Sequence, residues 1–581
     1  MQQENKKLLS LAFALIGMIL LTSIRYRVYC DDHWWHMLTG RFILENGAIP
    51  TIDPFSFTHA GSPWVNWEWL AGLVMYAVYS LLGPSGLQLL RLVLVGGTLI
   101  LIWKNITRLA HSEGYGLLLS RVFVMPLVIL VLACLNLDRP HSFGYLFTAL
   151  AVMLSYSLAK RPAVYKSLSL LALVAVWTQM HPSWMLGVLL IIAILCEAPL
   201  AQLFSGDKTW LKNNRLALIS ALLQLVLALA LKASGGYSHS VNSIFQASRL
   251  FEWQSLPELF SLANIPLVAF VFMSMLWLAL AAINRHSLKS PFVLFQFAAM
   301  ILGFVYFRFT PYFAIMACPQ IVVWLAPHFT KLNLSRRTLY LAMLFLAVGY
   351  FLLVKLEFDY NYKSLGWGLK LRHNPQPVVE FMRGHELSGN LMSNWLPTHG
   401  YLAYQLWPDS RVFIDGRIPQ LFSLDFLELY SNEKNLHKIL DKYPVDFYVM
   451  VTPTEAVSIN KALLLQDRDD FALLYFSENS ALWMRDRGKG NKDKDEAGTG
   501  TQADKHKSAP PSFKLIDPWR ISKESFIKWM QGENFERFAK ELELLLRLAP
   551  ESKMAATLLK TARNYPKLSE EQKSRLAGMG E

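Results

Sequence analysis

Residues 67–82 read WEWLAGLVMYAVYSLL, and whether this stretch crosses a bilayer decides the architecture of the whole chain. A spanning helix needs about 20 predominantly apolar residues. Such runs recur at approximately 8–24, 86–103, 116–135, 142–159, 166–180, 184–203, 216–233, 264–284, 290–307, 311–327 and 338–355. Spanning segments alternate direction, and Lys and Arg collect on the cytoplasmic side. With 67–82 left out of the count, every second loop is basic. Lys104 and Arg108, then Lys160, Arg161 and Lys166, then Lys208, Lys212 and Arg215, then Arg285 and Lys289, then Lys331, Arg336 and Arg337 share the side of Lys6 and Lys7. Counting 67–82 as a span would put all five of those loops outside. The stretch is therefore expected to be a helix lying at the membrane surface. Trp64, Trp67 and Trp69 suit headgroup depth, where an indole N–H stays hydrated while its ring is buried.

From this parity follow a long first outer loop, 25–85, and further outer segments at Asp138–His141, His181–Trp184, Lys232–Ala263 and Arg308–Pro311, with everything after residue 355 also outside. Lys6 and Lys7 precede the apolar run Leu8–Ile24, which is longer than a typical signal core and lacks an A-x-A-like cleavage site, so an uncleaved anchor is expected. The expected fold is a polytopic all-α membrane bundle of about eleven transmembrane helices, 1–355, carrying an extracytoplasmic α/β domain, 356–486. A charged low-complexity linker, 487–512, then leads to a small helical tail, 513–581. With 53% hydrophobic and 17% charged residues in 581, a soluble globular protein is excluded. The net charge of +13 resides in the loops and the tail, so membrane topology rather than a nucleic-acid partner accounts for it. Cys30, Cys134, Cys196 and Cys318 lie far apart, without zinc or disulfide spacing.

The chemistry concentrates outside. Residues 30–70 read CDDHWWHMLTGRFILENGAIPTIDPFSFTHAGSPWVNWEWL, with Asp31 and Asp32 directly after the first span and Glu68 opening the surface helix. Carboxylates paired at an apolar boundary can bind a divalent cation or act as a general base toward an acceptor. Cationic partners on the same side are Arg139 and His141 in DRPH, His181 in MHPSW and Arg308 in YFRFTPY. A planar guanidinium binds two phosphate oxygens at once, so the arginines are the better phosphate clamps. Arg91, near the outer end of the second span, can snorkel or point into a cavity. Structural readings stand beside these. Trp34 and Trp35 read as interfacial anchors, Asp53 before Pro54 as a turn residue, and Arg41 with Glu45 as a helical pair.

The run Asp31-Asp32-His33-Trp34-Trp35-His36 resembles the first outer loop of the GT-C superfamily. These polytopic glycosyltransferases use polyprenyl-phosphate-linked sugars; protein O-mannosyltransferases, the aminoarabinose transferase of lipid A and oligosaccharyltransferase catalytic subunits are among them. Glu68-Trp69-Leu70 occupies the place of a second acidic residue in the aminoarabinose-transferase-like branch. The resemblance implies Asp32 as base or metal ligand, assisted by Asp31 or Glu68, with His36, Arg91, Arg139, His141, His181 and Arg308 toward the substrate. It implies a polyprenyl-phosphate sugar as donor, an extracytoplasmic acceptor, and a divalent cation, Mg or Mn, on Asp31, Asp32 and Glu68. The aromatic doublet aligns Asp32 with the oligosaccharyltransferase acid, whereas the Asp-Glu pattern of other branches aligns Asp31. TGRFILENGAIPTIDPFSFTHAGSPW and SRVFIDGR are similar to stretches in a group of bacterial multispanning proteins, which implies a bacterial inner membrane with a cytoplasmic N-terminus. Two rivals remain: a non-catalytic factor for lipid-carrier translocation or polysaccharide assembly, and an ion-coupled transporter. Scarce mid-span ionisable residues count against the latter.

In the soluble part, 391–393, 411–414 and 446–451 read as strands and 471–476 with 481–485 as a hairpin, with helices at 400–406, 424–430 and 435–442. Asp415 and Arg417 sit at a strand end in VFIDGR, where a structural pair and a ligand site are both readable. Residues 522–530, 535–548 and 552–564 read as amphipathic helices, one pair of them like a single tetratricopeptide unit that could dock a protein partner.

Overall fold

The computed structural model describes residues 15–17, 27–28, 32–110, 114–133, 137–233, 255–256, 264–332, 335–360, 366–369, 374–418, 420–451, 465, 468, 470–476, 480–485, 563 and 570–577. The chain divides into two compact units. One comprises Met1–Val28, His36–Thr51 and Val65–Leu369; the other comprises Tyr29–Trp35, Ile52–Trp64 and Lys370–Glu581. The first outer loop is thus shared out between them, and the division falls inside its first helix.

The larger unit is helical: α1 His33–Asn46, α2 Trp69–Leu82, α3 Pro84–Leu109, α4 Tyr115–Leu132, α5 His141–Lys160, α6 Val164–Met180, α7 Trp184–Leu195, α8 Glu197–Phe204, α9 Trp210–Ala233, α10 Ile265–Ile283, α11 Pro291–Val305, α12 Thr310–Lys331 and α13 Arg336–Tyr360. Six helical stretches are long and apolar enough to cross a membrane, and α7 with α8, bent by 40° at Cys196, makes a seventh if taken as one span. The chain is an integral membrane protein. The expected eleven spans are not reached among the described residues, because α6 and α11 have only 17 and 15 residues, α13 counts only as the shorter apolar helix Arg337–Leu353, and the first apolar run lies mostly outside those residues. At 1.5 Å per residue α2 is about 21 Å long, short of a hydrocarbon core of about 30 Å. Almost every residue of α4 is buried, and it packs along α12. An apolar stripe would suffice for a peripheral helix; α4 is apolar all round because protein surrounds it.

Near its start α2 passes α1 so closely that only glycine fits. A Cβ built on Gly72 would sit 2.4 Å from the His36 carbonyl oxygen, and one built on Gly40 would sit 2.3 Å from that of Gly72. Small residues let two backbones meet at such a crossing.

The smaller unit holds a five-stranded sheet in the order β2-β1-β3-β5-β4, from β1 Asn390–Ser393, β2 Arg411–Val412, β3 Phe447–Val451, β4 Phe471–Phe476 and β5 Ser480–Arg485. Strand β1 runs parallel to β2 and β3, while β5 is antiparallel to β3 and β4. Its helices are α14 Gln376–Gly384, α15 Leu396–Leu406, α16 Leu424–Ser431, α17 Leu436–Lys442 and α18 Glu570–Ala577. Strand β3 is buried along its whole length, and the core behind the sheet includes Met392, Phe413, Ile414, Phe422, Tyr448 and Trp483. Residues 55–57 extend the sheet beyond β2: Val412 N–H donates to the Phe55 carbonyl at 3.1 Å and Phe57 N–H to that of Val412 at 3.1 Å. Backbone pairing of this kind satisfies an exposed sheet edge. The expected linker and the three expected tail helices lie outside the described residues, apart from residue 563.

Candidate functional site

In the membrane unit one acid is flanked by two imidazoles. Glu68 occupies the N-cap position of α2, and its side chain makes no capping bond there. Its Oε2 lies 3.6 Å from His36 Nε2 on α1, and its Oε1 lies 3.5 Å from His181 Nε2 in the turn between α6 and α7. Two contacts bring these elements together. One is the Gly40–Gly72 crossing; the other is a 2.9 Å hydrogen bond from Trp69 Nε1 to Gln179 Oε1 at the end of α6. Trp69, expected at headgroup depth, thus binds a neighbouring helix.

His181 is oriented from behind. Its Nδ1 accepts from the Ser183 backbone N–H at 3.1 Å, which leaves the ring proton on Nε2, facing Glu68. Ser183 Oγ lies 2.8 Å from the same Nδ1 and accepts from Trp177 Nε1 at 3.0 Å. Gly144 makes room for this arrangement, since a Cβ there would sit 2.4 Å from Ser183 Oγ and 2.9 Å from the Tyr312 hydroxyl.

Cations surround the acid. His141 stands 6.4 Å from His181 between ring centroids, and its buried Nε2 has no hydrogen-bond partner among the described residues. Arg139 and Arg308 lie within electrostatic reach of both histidines, and Lys232, at the end of α9, lies within reach of Glu68. Arg91 is placed differently: its side chain is fully buried and engages the Asp138 carboxylate with two nitrogens, Nε at 2.8 Å and Nη2. This fork pins the start of the DRPH turn, and so positions Arg139 and His141.

Asp32 belongs to the other unit, and Asp31 lies outside the described residues. A Cβ built on Gly416 would sit 2.1 Å from Asp32 Oδ1 and 2.8 Å from Trp35 Nε1, so the Asp32 carboxylate lies against the backbone of the VFIDGR turn. That turn is built on Arg417, which is fully buried. Its Nη1 donates to Asp53 Oδ1 at 2.7 Å and its Nη2 to Asp415 Oδ2 at 2.7 Å. Burial works against the guanidinium charge, and Asp415 and Asp53 outweigh it, holding the pKa above its ordinary value. The rings of Trp64, Phe55 and Phe422 lie 4.6, 5.2 and 5.7 Å from the guanidinium carbon. Asp53 also accepts from Phe55 N at 3.0 Å, making the turn that its place before Pro54 suggests.

Two expectations for the aromatics are corrected. Trp64 is buried over Arg417, and Trp34 is buried with its ring 5.0 Å from Tyr401 and 5.3 Å from Tyr404. For both indoles it is protein rings and a guanidinium that supply the contact. Among the described residues no three His, Cys, Asp or Glu side chains are arranged to hold a metal ion.

Of the residues singled out in the sequence, the structure gathers Glu68, His36, His141, His181, Arg139 and Arg308 into one cluster. Ser183, Tyr312 and Lys232 join them without having been expected. Lys232 offered a signal: it closes an otherwise apolar run on the side to which the parity of basic loops assigns few lysines.

No family model matches the chain, and no curated protein matches it. Among solved structures it is similar to the archaeal oligosaccharyltransferase AglB from Archaeoglobus fulgidus in complex with an inhibitory peptide and a dolichol-phosphate, at 11% identity and a TM-score of 0.49 over 78% of this chain and 71% of that one. It is also similar to ArnT from Cupriavidus metallidurans in the apo state, at 13% identity and a TM-score of 0.41 over 82% of this chain and 97% of that one. ArnT bound to undecaprenyl phosphate gives 12% identity and a TM-score of 0.38 over the same shares. Likenesses of this size assign no chemistry to individual residues.

Proposed function

We propose that the chain is a GT-C-type membrane glycosyltransferase that moves a sugar from a polyprenyl-phosphate donor to an extracytoplasmic acceptor. The observation that carries this reading is the convergence, on one buried acid, of two imidazoles with three cationic side chains close by. Breaking a glycosidic bond to phosphate develops negative charge on the leaving oxygen. Arg139, Arg308 and Lys232 supply compensating charge, and a preorganised cation is worth more in a water-poor site than in bulk water. An acceptor hydroxyl must lose a proton as it attacks the anomeric carbon, and carboxylates are the groups available to take it. Asp32, with Asp31 or Glu68, is assigned that part. Attack opposite the departing phosphate inverts the anomeric centre.

The test uses purified full-length protein in lipid nanodiscs with a panel of polyprenyl-phosphate monosaccharides, reading the release of polyprenyl phosphate. Alanine at both Asp31 and Asp32 is expected to abolish release, and Arg308→Ala to slow it by about 100-fold or more, the scale of losing one preorganised charge contact. Unchanged release from the double alanine variant, correctly inserted, would sink the proposal.

A further inference from the structure

The turn in the VFIDGR motif, residues 412–417, is fixed by the buried Arg417, which binds both Asp53 and Asp415. We propose that this turn positions Asp32, with Gly416 as the residue that sets where the carboxylate lies and Arg417 with Asp53 as the clamp that fixes Gly416. The proposal rests on the reading of Asp32 as an acceptor-activating acid.

Three sets of contacts carry it. First, the Asp32 segment is built into the same unit as the sheet: the Trp34 ring lies against Tyr401 and Tyr404, and a Cβ on Gly400 would be 3.4 Å from Trp34 Cβ. The start of α1 is thereby held against α15. Second, the Asp32 carboxylate fits only because residue 416 has no side chain: the first atom of any side chain there would occupy the space of Asp32 Oδ1. Gly416 is not among the residues of positive φ, so space, rather than backbone freedom, is what the glycine provides. Third, the turn cannot drift away from Asp32. Arg417 ties its own backbone to Asp415, whose Oδ1 accepts from Arg417 N at 3.0 Å, and ties both to Asp53. Residues 55–57 then pair with Val412, and Thr58 Oγ1 donates to the Phe413 carbonyl at 2.6 Å. The loop after α1 is sewn to the strand that leads into the turn facing the residue before α1. A general base works only when held to a fraction of an ångström, and a rigid turn backed by a buried ion pair supplies that rigidity.

The experiment is a double-mutant cycle on the full-length protein in nanodiscs, with Gly416→Ala, Asp32→Ala and both together. Two measurements are made: thermal unfolding, and release of polyprenyl phosphate from the panel of polyprenyl-phosphate monosaccharides. Gly416→Ala is expected to lower the unfolding temperature in the parent and by less when Asp32 is already alanine, because the methyl then meets Trp35 Nε1 at 2.8 Å but no carboxylate. It is expected to cut kcat by about 100-fold with KM for the donor unchanged, and to cost nothing further on top of Asp32→Ala. Equal drops in unfolding temperature in both backgrounds, or full kcat in Gly416→Ala, overturn the positioning role. If Asp32→Ala leaves release intact while positions 32 and 416 remain coupled in stability, it is the assignment of Asp32 to catalysis that fails, and the catalytic positioning role fails with it.

Discussion

Replacing Gly72 by alanine tests whether the crossing of α1 and α2 sets the reactive geometry. The added Cβ would sit 2.4 Å from the His36 carbonyl oxygen, whereas ordinary contact begins at 3.4 Å, so the backbones must separate by about 1 Å. No rotamer relieves the clash, because both partners are backbone. His36 and Glu68 ride on the two elements being separated, and their 3.6 Å approach opens by a comparable amount. A misplacement of 1 Å costs about 100-fold in rate, or about 2.7 kcal/mol of barrier. Overpacking costs about 1–3 kcal/mol of stability, offset by about 1 kcal/mol from alanine's higher helix propensity. Turnover should therefore fall far more than stability does. The assay is release of polyprenyl phosphate in nanodiscs, run beside thermal unfolding. Gly349→Ala serves as control, since a Cβ there meets nothing within 4 Å. A folded Gly72→Ala protein turning over within about twofold of the parent would refute the argument that the glycine crossing places the acid.

The Arg91–Asp138 pair is buried on both sides, so Arg91→Ala strands a carboxylate and should cost about 3–5 kcal/mol, visible as a lowered unfolding temperature. Arg91→Gln with Asp138→Asn should recover much of it; parent-like unfolding of Arg91→Ala alone would contradict this reading. His59 gives a pH dependence. Burial pushes its imidazole below 6.5, with Asp53 opposing, Arg417 adding and Asp415 opposing, so the unfolded chain takes up the proton first. The stability contribution of neutral His59 is complete above about pH 6.5 and is lost as pH falls from there toward the folded-state value. His59→Phe, which keeps an aromatic ring against Phe422 and Phe426, should flatten that slope in thermal unfolding scans. An unchanged slope would show that another group carries it.

Much of the frame is written in local sequence. The apolar runs coincide with α3–α13, and the strands and hairpin of the smaller unit fall within a residue or two of their expected limits. Apolar periodicity reports burial, however, and does not say what does the burying. Trp34, Trp64 and Trp69 looked like headgroup anchors because a bilayer interface and a protein interior both favour an indole; their partners, Tyr401, Arg417 and Gln179, come from distant sequence. Helix α14, for which no expectation stood, carries Pro377 in its first turn, where proline suits a helix. The parity of basic loops placed His141, His181 and Arg308 on one side, but only the fold shows that a glycine crossing carries Glu68 to His36 and His181. Gly40, Gly72 and Gly416 gave no warning in sequence, because a missing side chain matters only where another chain segment arrives.

The bond between Arg417 and Asp53 joins residues 364 positions apart. At about 5–20 residues per second, roughly 20–70 s of synthesis separates the two partners. During that interval Phe55 and Trp64 have emerged without the guanidinium they will cover, and the carboxyl group of Asp53 has no counter-ion from this turn. A ribosome that stalls or a transcript that ends before codon 411 would leave a membrane-anchored chain displaying those rings, a mark by which quality-control proteases and chaperones can tell it from the finished product.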